Sequence, residues 1–137
     1  MNEKYLEIIQ DLAKKAQKKN EIPVGCVIIY EGNIIAKAYN QRESSNNILG
    51  HAEIIAITKA AKKLNTWKLD ECEMYVTLEP CEMCRTIIKQ SRINKVYYLA
   101  ERLSIKKEYN KTKFVRVGNN EKYLKILTYF FENMRKK

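Results

Sequence analysis

Two short stretches of this sequence carry the side chains with the greatest capacity for chemistry. One is "LEPCEMC", residues 78–84, in which Cys81 and Cys84 stand three residues apart behind a proline. The other is "GHAEIIAI", which contains His51, the single histidine of the 137-residue chain, and Glu53 two residues later. One imidazole and two thiolates form a zinc ligand set that leaves the fourth position open for water. An open site of this kind is catalytic rather than structural.

Glu53 is not needed as a ligand, so its carboxylate is free for proton transfer. A bound zinc would lower the pKa of its water to about 7. A carboxylate beside that water can take its proton and deliver it to a leaving amine. The order H-x-E followed by P-C-x-x-C is the signature of zinc-dependent base deaminases.

Each of these features has a more ordinary explanation when it is taken alone. His51 at a helix start is more often a cap or a core residue, and Glu53 in a first turn usually serves the helix dipole. A C-x-x-C pair alone is ambiguous between a redox pair, a metal site and chance. The combination uses the only histidine, and it predicts one zinc per subunit, held by His51, Cys81 and Cys84, with Glu53 as the catalytic acid and base.

The hydrophobic pattern predicts the elements that must position these side chains. In chain order they are a helix at 3–19, a β-hairpin at 22–40, a helix at 51–64, a strand at 73–78, a helix at 81–90, a strand at 94–100, a weak strand at 113–117 and a helix at 120–135. Strand–helix–strand units favour parallel pairing, whereas the hairpin is antiparallel. We therefore expect a mixed sheet of about five strands between layers of helices.

Both motifs stand at the start of a helix that follows a strand or a loop. In a sheet whose crossovers have one hand, such helix starts can lie side by side at the same end. The sequence therefore predicts that His51 and the two cysteines meet there. Cys26, inside an apolar strand, and Cys72, before a strand, are expected to be small buried residues.

Composition bounds the class of protein. A chain of 137 residues, 45% hydrophobic and 31% charged, predicts one folded domain over residues 1–137. The start lacks the layout of a secretory signal, and no apolar run approaches the roughly 20 residues of a membrane span. We expect a cytoplasmic protein, in whose reducing surroundings the four cysteines are not disulfides.

The net charge of +10 is concentrated in the last quarter of the chain. Residues 1–101 carry 15 Lys and Arg against 13 Asp and Glu, whereas residues 102–137 carry 11 against 3, a net of +8. A concentrated basic segment is typical of a polyanion partner. Phe131 and Arg135 are four apart on the last helix and, with Lys136, are candidate RNA contacts, although core packing is an equal explanation for Phe131.

The sequence resembles bacterial tRNA-specific adenosine deaminases of the cytidine deaminase superfamily. The similarity runs from about residue 3 to about residue 100 and resumes in the last helix. It rests on "EIPVGCVI", "YNQRE", "HAEIIAI", "TWKLDECEMYVTLEPCEMC", "SRINKVYYLA" and "YFFENMRKK". The resemblance implies a three-layer α/β/α cytidine deaminase-like fold and a homodimer. It also implies conversion of the wobble adenosine (A34) of an arginine tRNA to inosine, with the anticodon stem-loop as partner and no membrane.

The resemblance also assigns the substrate pocket. It implies that Asn40, at the end of the second strand, hydrogen-bonds the flipped nucleotide, although Asn is also a common turn residue. It implies that Val24, Leu78 and Glu79 wall the base pocket.

The sequence departs from the family pattern in three places. Arg85-Thr86 replaces small residues after the second cysteine, as in deaminases of free cytidine, and Gly50 replaces an alanine. The segment 101–119 is short, charged and poor in glycine.

Two alternatives to RNA editing remain. One is a deaminase of free nucleosides or bases such as cytidine or guanine, which would gain nothing from the basic tail. The other is a structural zinc module that binds nucleic acid. Such a closed site would need a fourth protein ligand, for which Cys72 is the spare candidate.

Overall fold

One mixed sheet and four helices make up the described part of the computed structural model, which covers residues 2–102, 113–116 and 118–135. The elements are α1 (Glu3–Lys18), β1 (Gly25–Tyr30), β2 (Asn33–Tyr39), α2 (Ala52–Leu64), β3 (Cys72–Leu78), α3 (Glu82–Gln90), β4 (Lys95–Ala100) and α4 (Glu121–Arg135). Their order confirms the predicted succession of helices and strands through residue 100.

The sheet order is β2-β1-β3-β4. β1 pairs antiparallel with β2 and with β3, and β3 pairs parallel with β4. The tight hairpin between β1 and β2 explains the first pairing, and the crossover through α3 explains the parallel one. The prediction of a mixed sheet is therefore confirmed.

The prediction of about five strands is wrong, because the described residues form four. Residues 113–116 are not in a strand, and residue 117 lies outside the described residues. A strand is stabilised by the packing of its apolar side chains, here those of Phe114 and Val115. Both are exposed, at 94% and 74%.

Alternate residues of the strands build two cores, one on each face of the sheet. On one face α1 packs against the sheet, and the buried side chains are Ile9, Leu12, Val27, Ile29 and Tyr75. On the other face the buried side chains come from α2, α3 and the strands, among them Cys26, Ile28, Ala56, Met74, Val76 and Ile88. The sheet therefore carries helices on both faces.

Two compact units divide the chain, Met1–Ser104 and Ile105–Lys137. The first contains the sheet with α1, α2 and α3, and the second contains α4. A single domain over residues 1–137 stays a prediction. Within the described residues, no helix has both the length and the apolar character needed to cross a membrane.

Candidate metal centre

Strand directions bring the two motifs to one edge of the sheet. β2 and β3 are both antiparallel to β1, so they end at the edge where β1 begins. We call this edge the site edge; Gly25, Tyr39 and Leu78 mark it. The chain leaves β2 and β3 there and enters α2 and α3, whose N-cap residues are His51 and Cys81. The predicted meeting of the two helix starts is thus present in the structure.

The three candidate ligands form a tight triangle. His51 Nδ1 lies 3.6 Å from Cys84 Sγ and 4.0 Å from Cys81 Sγ, and all three ligand atoms lie within 4.8 Å of one another. Tetrahedral zinc with Zn–S of about 2.3 Å and Zn–N of about 2.0 Å places such atoms roughly 3.5–3.8 Å apart. The triangle therefore fits one zinc ion.

Burial and positive charge keep the imidazole in its ligand form. Burial lowers the pKa of His51, and the guanidinium groups of Arg42 and Arg102 lower it further. A neutral imidazole at physiological pH offers a lone pair to a metal.

The thiol of Cys84 needs a cation in order to ionise. Its side chain is fully buried. Burial raises the pKa of this thiol well above its usual range, and the nearby Glu53 and Cys81 add to the effect. A divalent cation at the triangle would replace the proton and supply the missing positive charge.

Glu53 is buried beside the triangle, with only 3% of its surface exposed. Burial is the main cause that raises the pKa of its carboxyl group, and the Arg102 charge and the Cys84 thiol oppose it. A carboxyl group kept only for the helix dipole would remain solvated. The burial of Glu53 at this point instead suits a group that exchanges protons within a site.

The ordinary explanation of the two N-cap residues does not hold. Neither His51 nor Cys81 makes a side-chain capping hydrogen bond in its helix. Their side chains face each other instead of their own backbones. The capping positions thus serve to place the ligands.

The predicted pocket residues lie at the same edge. Val24 is buried, and Leu78 packs against the same core cluster, which also contains Ala52, the residue after His51. Asn40 is 7% exposed, and its backbone N–H donates to the Val24 carbonyl at 3.0 Å. This backbone hydrogen bond places Asn40 beside Val24 at the site edge.

Glu79 and the unusual Arg85 form a small network beside Cys81. Arg85 donates to the Glu79 carboxylate and, through Nε, to the Pro80 carbonyl at 3.2 Å. Arg102 Nε donates to the Glu79 carbonyl at 3.1 Å. A cavity of about 320 Å³ opens beside Cys81, Glu82 and this network. Arg85 therefore lies against Glu79 and Pro80, outside the triangle of ligands.

The other two cysteines are buried thiols, as predicted. Burial raises the pKa of the Cys26 thiol well above its usual range, so this thiol stays protonated. Cys72 begins β3 and pairs with Tyr30, at the edge of the sheet opposite the ligands. The potential metal ligands that lie together within the described residues are His51, Cys81 and Cys84. No fourth ligand joins them there. This geometry does not favour the closed structural site.

The three candidate RNA contacts belong to the C-terminal unit. Phe131 is 56% exposed and stacks edge-on against Phe130, with 5.5 Å between ring centroids. Arg135 is the last residue of α4, and Lys136 lies outside the described residues. Their contact with RNA stays a prediction.

Sequence reasoning missed two residues that shape this edge, Glu21 and Arg102. Glu21 is 5% exposed, although it follows a helix in a polar stretch where an acidic residue is normally solvated. Arg102 influences the pKa values of both His51 and Glu53. No pattern of spacing or hydrophobicity marks either residue, because their contacts join positions distant in sequence.

A family model matches residues 1–100, and its description is the cytidine and deoxycytidylate deaminase zinc-binding region. The matched residues contain the whole first unit except its last few positions. The chain belongs to this family. Its zinc-binding description agrees with the ligand triangle, so the chain has the ligands for one zinc per subunit.

Curated relatives are tRNA-specific adenosine deaminases. The protein of this name from Bacillus subtilis is 43% identical over 97 residues, which are 71% of this chain and 60% of the relative. The one from Aquifex aeolicus is 47% identical over 98 residues, which are 72% of this chain and 65% of the relative. The matched part thus spans less than two thirds of these relatives.

Two solved structures are similar to this chain. One comes from structural studies of A-to-I editing by tRNA:A34 deaminases, with 35% identity, a TM-score of 0.72, and coverage of 74% of this chain and 73% of the other. The second is guanine deaminase from Bacillus subtilis, with 31% identity, a TM-score of 0.80 and coverage of 94% of both chains.

Proposed function

We propose that the protein is a zinc-dependent hydrolase that deaminates the wobble adenosine, A34, of tRNA to inosine. The observation that carries the proposal is the His51, Cys81 and Cys84 triangle with the buried Glu53 beside it. The choice of tRNA as substrate is supported by the similarity of the chain to proteins named tRNA-specific adenosine deaminase and to a structure from work on tRNA:A34 deaminases.

The side chains have distinct roles in this proposal. His51, Cys81 and Cys84 would hold the zinc, which when bound would supply a water activated for attack on the carbon that carries the amino group. Glu53 would accept a proton at its carboxylate and deliver it to the leaving amine. Its burial suits both steps, because a raised pKa brings a carboxyl group closer to the operating pH.

The substrate pocket is assigned to the residues that line the site edge. Asn40 offers its side-chain amide to the target nucleotide. Val24, Leu78 and Glu79 wall the base pocket, and the first two supply apolar side chains. Extrusion of a base into such a pocket is the usual route for enzymes that act on a nucleobase.

The partner is the anticodon stem-loop. The net charge of +8 over residues 102–137 supports a polyanion, and Phe131 offers an exposed ring for stacking. Arg135 and Lys136 follow it in the sequence and would supply positive charge. Single-stranded loops are the part of RNA whose bases can be reached, stacked and extruded.

A deaminase of a free base is the second candidate, because the guanine deaminase structure covers 94% of this chain. The two candidates differ in one measurable outcome. The zinc-loaded full chain is incubated with total tRNA and separately with cytidine, adenosine and guanine. We expect inosine to form in tRNA. If ammonia is released from guanine and no inosine forms in tRNA, the protein is a free-base deaminase.

We further propose a homodimer that works in the cytoplasm. The dimer follows from the family resemblance, and the four free cysteines suit a reducing compartment. Sedimentation at micromolar concentration tests the dimer. A monomer that still edits tRNA would contradict it.

A further inference from the structure

Asn40 and His51 stand at the two ends of one loop, residues 41–50, which we call the 41–50 loop. One end carries the amide proposed to orient the substrate, and the other carries a zinc ligand. The conformation of this loop therefore sets the position of both groups relative to the sheet.

Packing does little to hold the 41–50 loop. Residues 43–49 are all exposed, and the two apolar side chains Ile48 and Leu49 are 68% and 49% exposed. The loop is closed by its own hydrogen bonds, such as the Gln41 N–H to the Gly50 carbonyl at 2.7 Å. These internal bonds define its shape but do not attach it to the rest of the unit.

Glu21 provides the attachment. Its carboxylate accepts the backbone N–H groups of Glu43 at 3.0 Å and Ser44 at 2.6 Å. Its own backbone N–H donates to the Ala16 carbonyl at the end of α1, at 3.0 Å. Burial raises the pKa of Glu21, but these N–H groups and the Arg42 charge outweigh it, and the pKa lies below its ordinary value. The carboxylate is therefore ionised when it holds the loop.

The end of the loop beside His51 is fixed by close contact. A Cβ on Gly50 would lie 2.7 Å from Arg42 Cα, so only glycine lets the two ends of the loop approach this closely. A loop pinned by Glu21 and closed at Gly50 delivers His51 in one orientation.

We propose that Glu21 is a positioning residue for the metal site, which holds the 41–50 loop so that His51 meets Cys81 and Cys84. The inference rests on the zinc site and does not depend on tRNA being the substrate. Ligands must be held to within about half an ångström of their productive geometry. Loss of the carboxylate would let the loop move and would weaken zinc binding without removing a ligand.

The test compares three full-length variants by competition with a zinc chelator at fixed neutral pH, well below the melting temperature. Glu21→Ala should lower zinc affinity roughly tenfold, the effect typical of groups that support metal ligands. Glu21→Gln should fall between it and the wild type, because its amide oxygen still accepts one N–H. Ser91→Ala is the matched control, since Ser91 is as buried as Glu21 but its hydroxyl bonds the Ile88 carbonyl on α3.

Amide hydrogen exchange adds a readout that a general loss of stability would not produce. The N–H groups of Glu43 and Ser44 should exchange faster in the Glu21 variants and not in Ser91→Ala. If Glu21→Ala does not fold, Glu21→Gln carries the comparison. A zinc affinity in the Glu21 variants equal to that of Ser91→Ala, or unchanged exchange, would overturn the inference. A wild-type chain that binds no zinc would overturn it together with the site assignment.

Discussion

The two edges of the sheet differ in the polar side chains that they bury. At the site edge, Glu21, Asn40 and Glu53 are buried. At the opposite edge, where β1 ends and β3 and β4 begin, Ser91 is the one buried polar side chain of the described residues. We call that edge the far edge.

At the far edge, both the hydroxyl group and the backbone carbonyl of Ser91 have hydrogen-bond partners. The Ser91 hydroxyl donates to the Ile88 carbonyl at 2.7 Å, and its carbonyl accepts from the Leu69 N–H at 2.8 Å. Trp67 lies exposed between two cations, with Arg92 at 5.2 Å and Lys68 at 5.7 Å from its ring centroid. These contacts stabilise the loops at this edge.

The site edge instead keeps groups that are costly to bury. Burial raises the pKa of the Glu53 carboxyl group and that of the neighbouring Cys84 thiol. Burial of such groups lowers stability unless something binds them. The difference indicates that the site edge is built for ligands and the far edge for stability.

Removal of the two thiolates at the site edge should have the largest effect and tests the difference between the edges most directly. Cys81→Ser with Cys84→Ser should abolish zinc binding and deamination, because a hydroxyl is a poor zinc ligand. Cys72→Ser at the far edge should keep one zinc per chain. Elemental analysis of the purified proteins measures both, and zinc retained by the double variant would refute the ligand assignment.

Glu53→Gln should separate binding from turnover. The amide cannot carry the proton, so kcat should fall roughly 100- to 10,000-fold. Zinc content and RNA affinity should stay close to those of the wild type, because Glu53 is not a ligand. Rapid turnover by this variant would assign the proton transfer to another group.

Two glycines extend the comparison to stability. A Cβ at Gly25, on the site edge, would lie 2.1 Å from the Ile9 carbonyl of α1, so Gly25→Ala should cost about 3 kcal/mol by overpacking. Gly32, in the hairpin turn at the far edge, has φ +77° and nothing within 4 Å of such a Cβ. Gly32→Ala should cost about 1 kcal/mol of left-handed strain. Urea unfolding measures both, and equal losses would contradict this assignment of causes.

Much of this architecture was predictable because local patterns determine it. Short apolar segments marked β1 to β4, and the H-x-E and P-C-x-x-C spacings marked the ligands. The prediction of a strand at 113–117 was wrong because Phe114 and Val115 are exposed, so burial of their side chains does not stabilise a strand there. Glu21 was missed because its role depends on a loop more than 20 residues away, whose contact no periodicity encodes.

Charge reversal in the basic tail, residues 135–137, should have the smallest effect of the changes proposed here. Arg135→Glu with Lys136→Glu and Lys137→Glu should leave zinc content and melting temperature nearly unchanged. It should weaken anticodon stem-loop binding and flatten its salt dependence, because fewer phosphate counterions are released, about 0.7 to 0.9 per lost contact.

The matched control reverses the charge of three exposed lysines in the first unit. Lys62→Glu with Lys63→Glu and Lys68→Glu changes the net charge by the same amount. Affinity for the stem-loop and the slope of its logarithm against the logarithm of salt concentration are measured for both variants. If the charge acts through contacts at the tail, only the tail variant loses slope. Equal losses in both would show that the tail contributes net charge alone, and an unchanged tail variant would leave it as solvated surface and favour the free-base reaction.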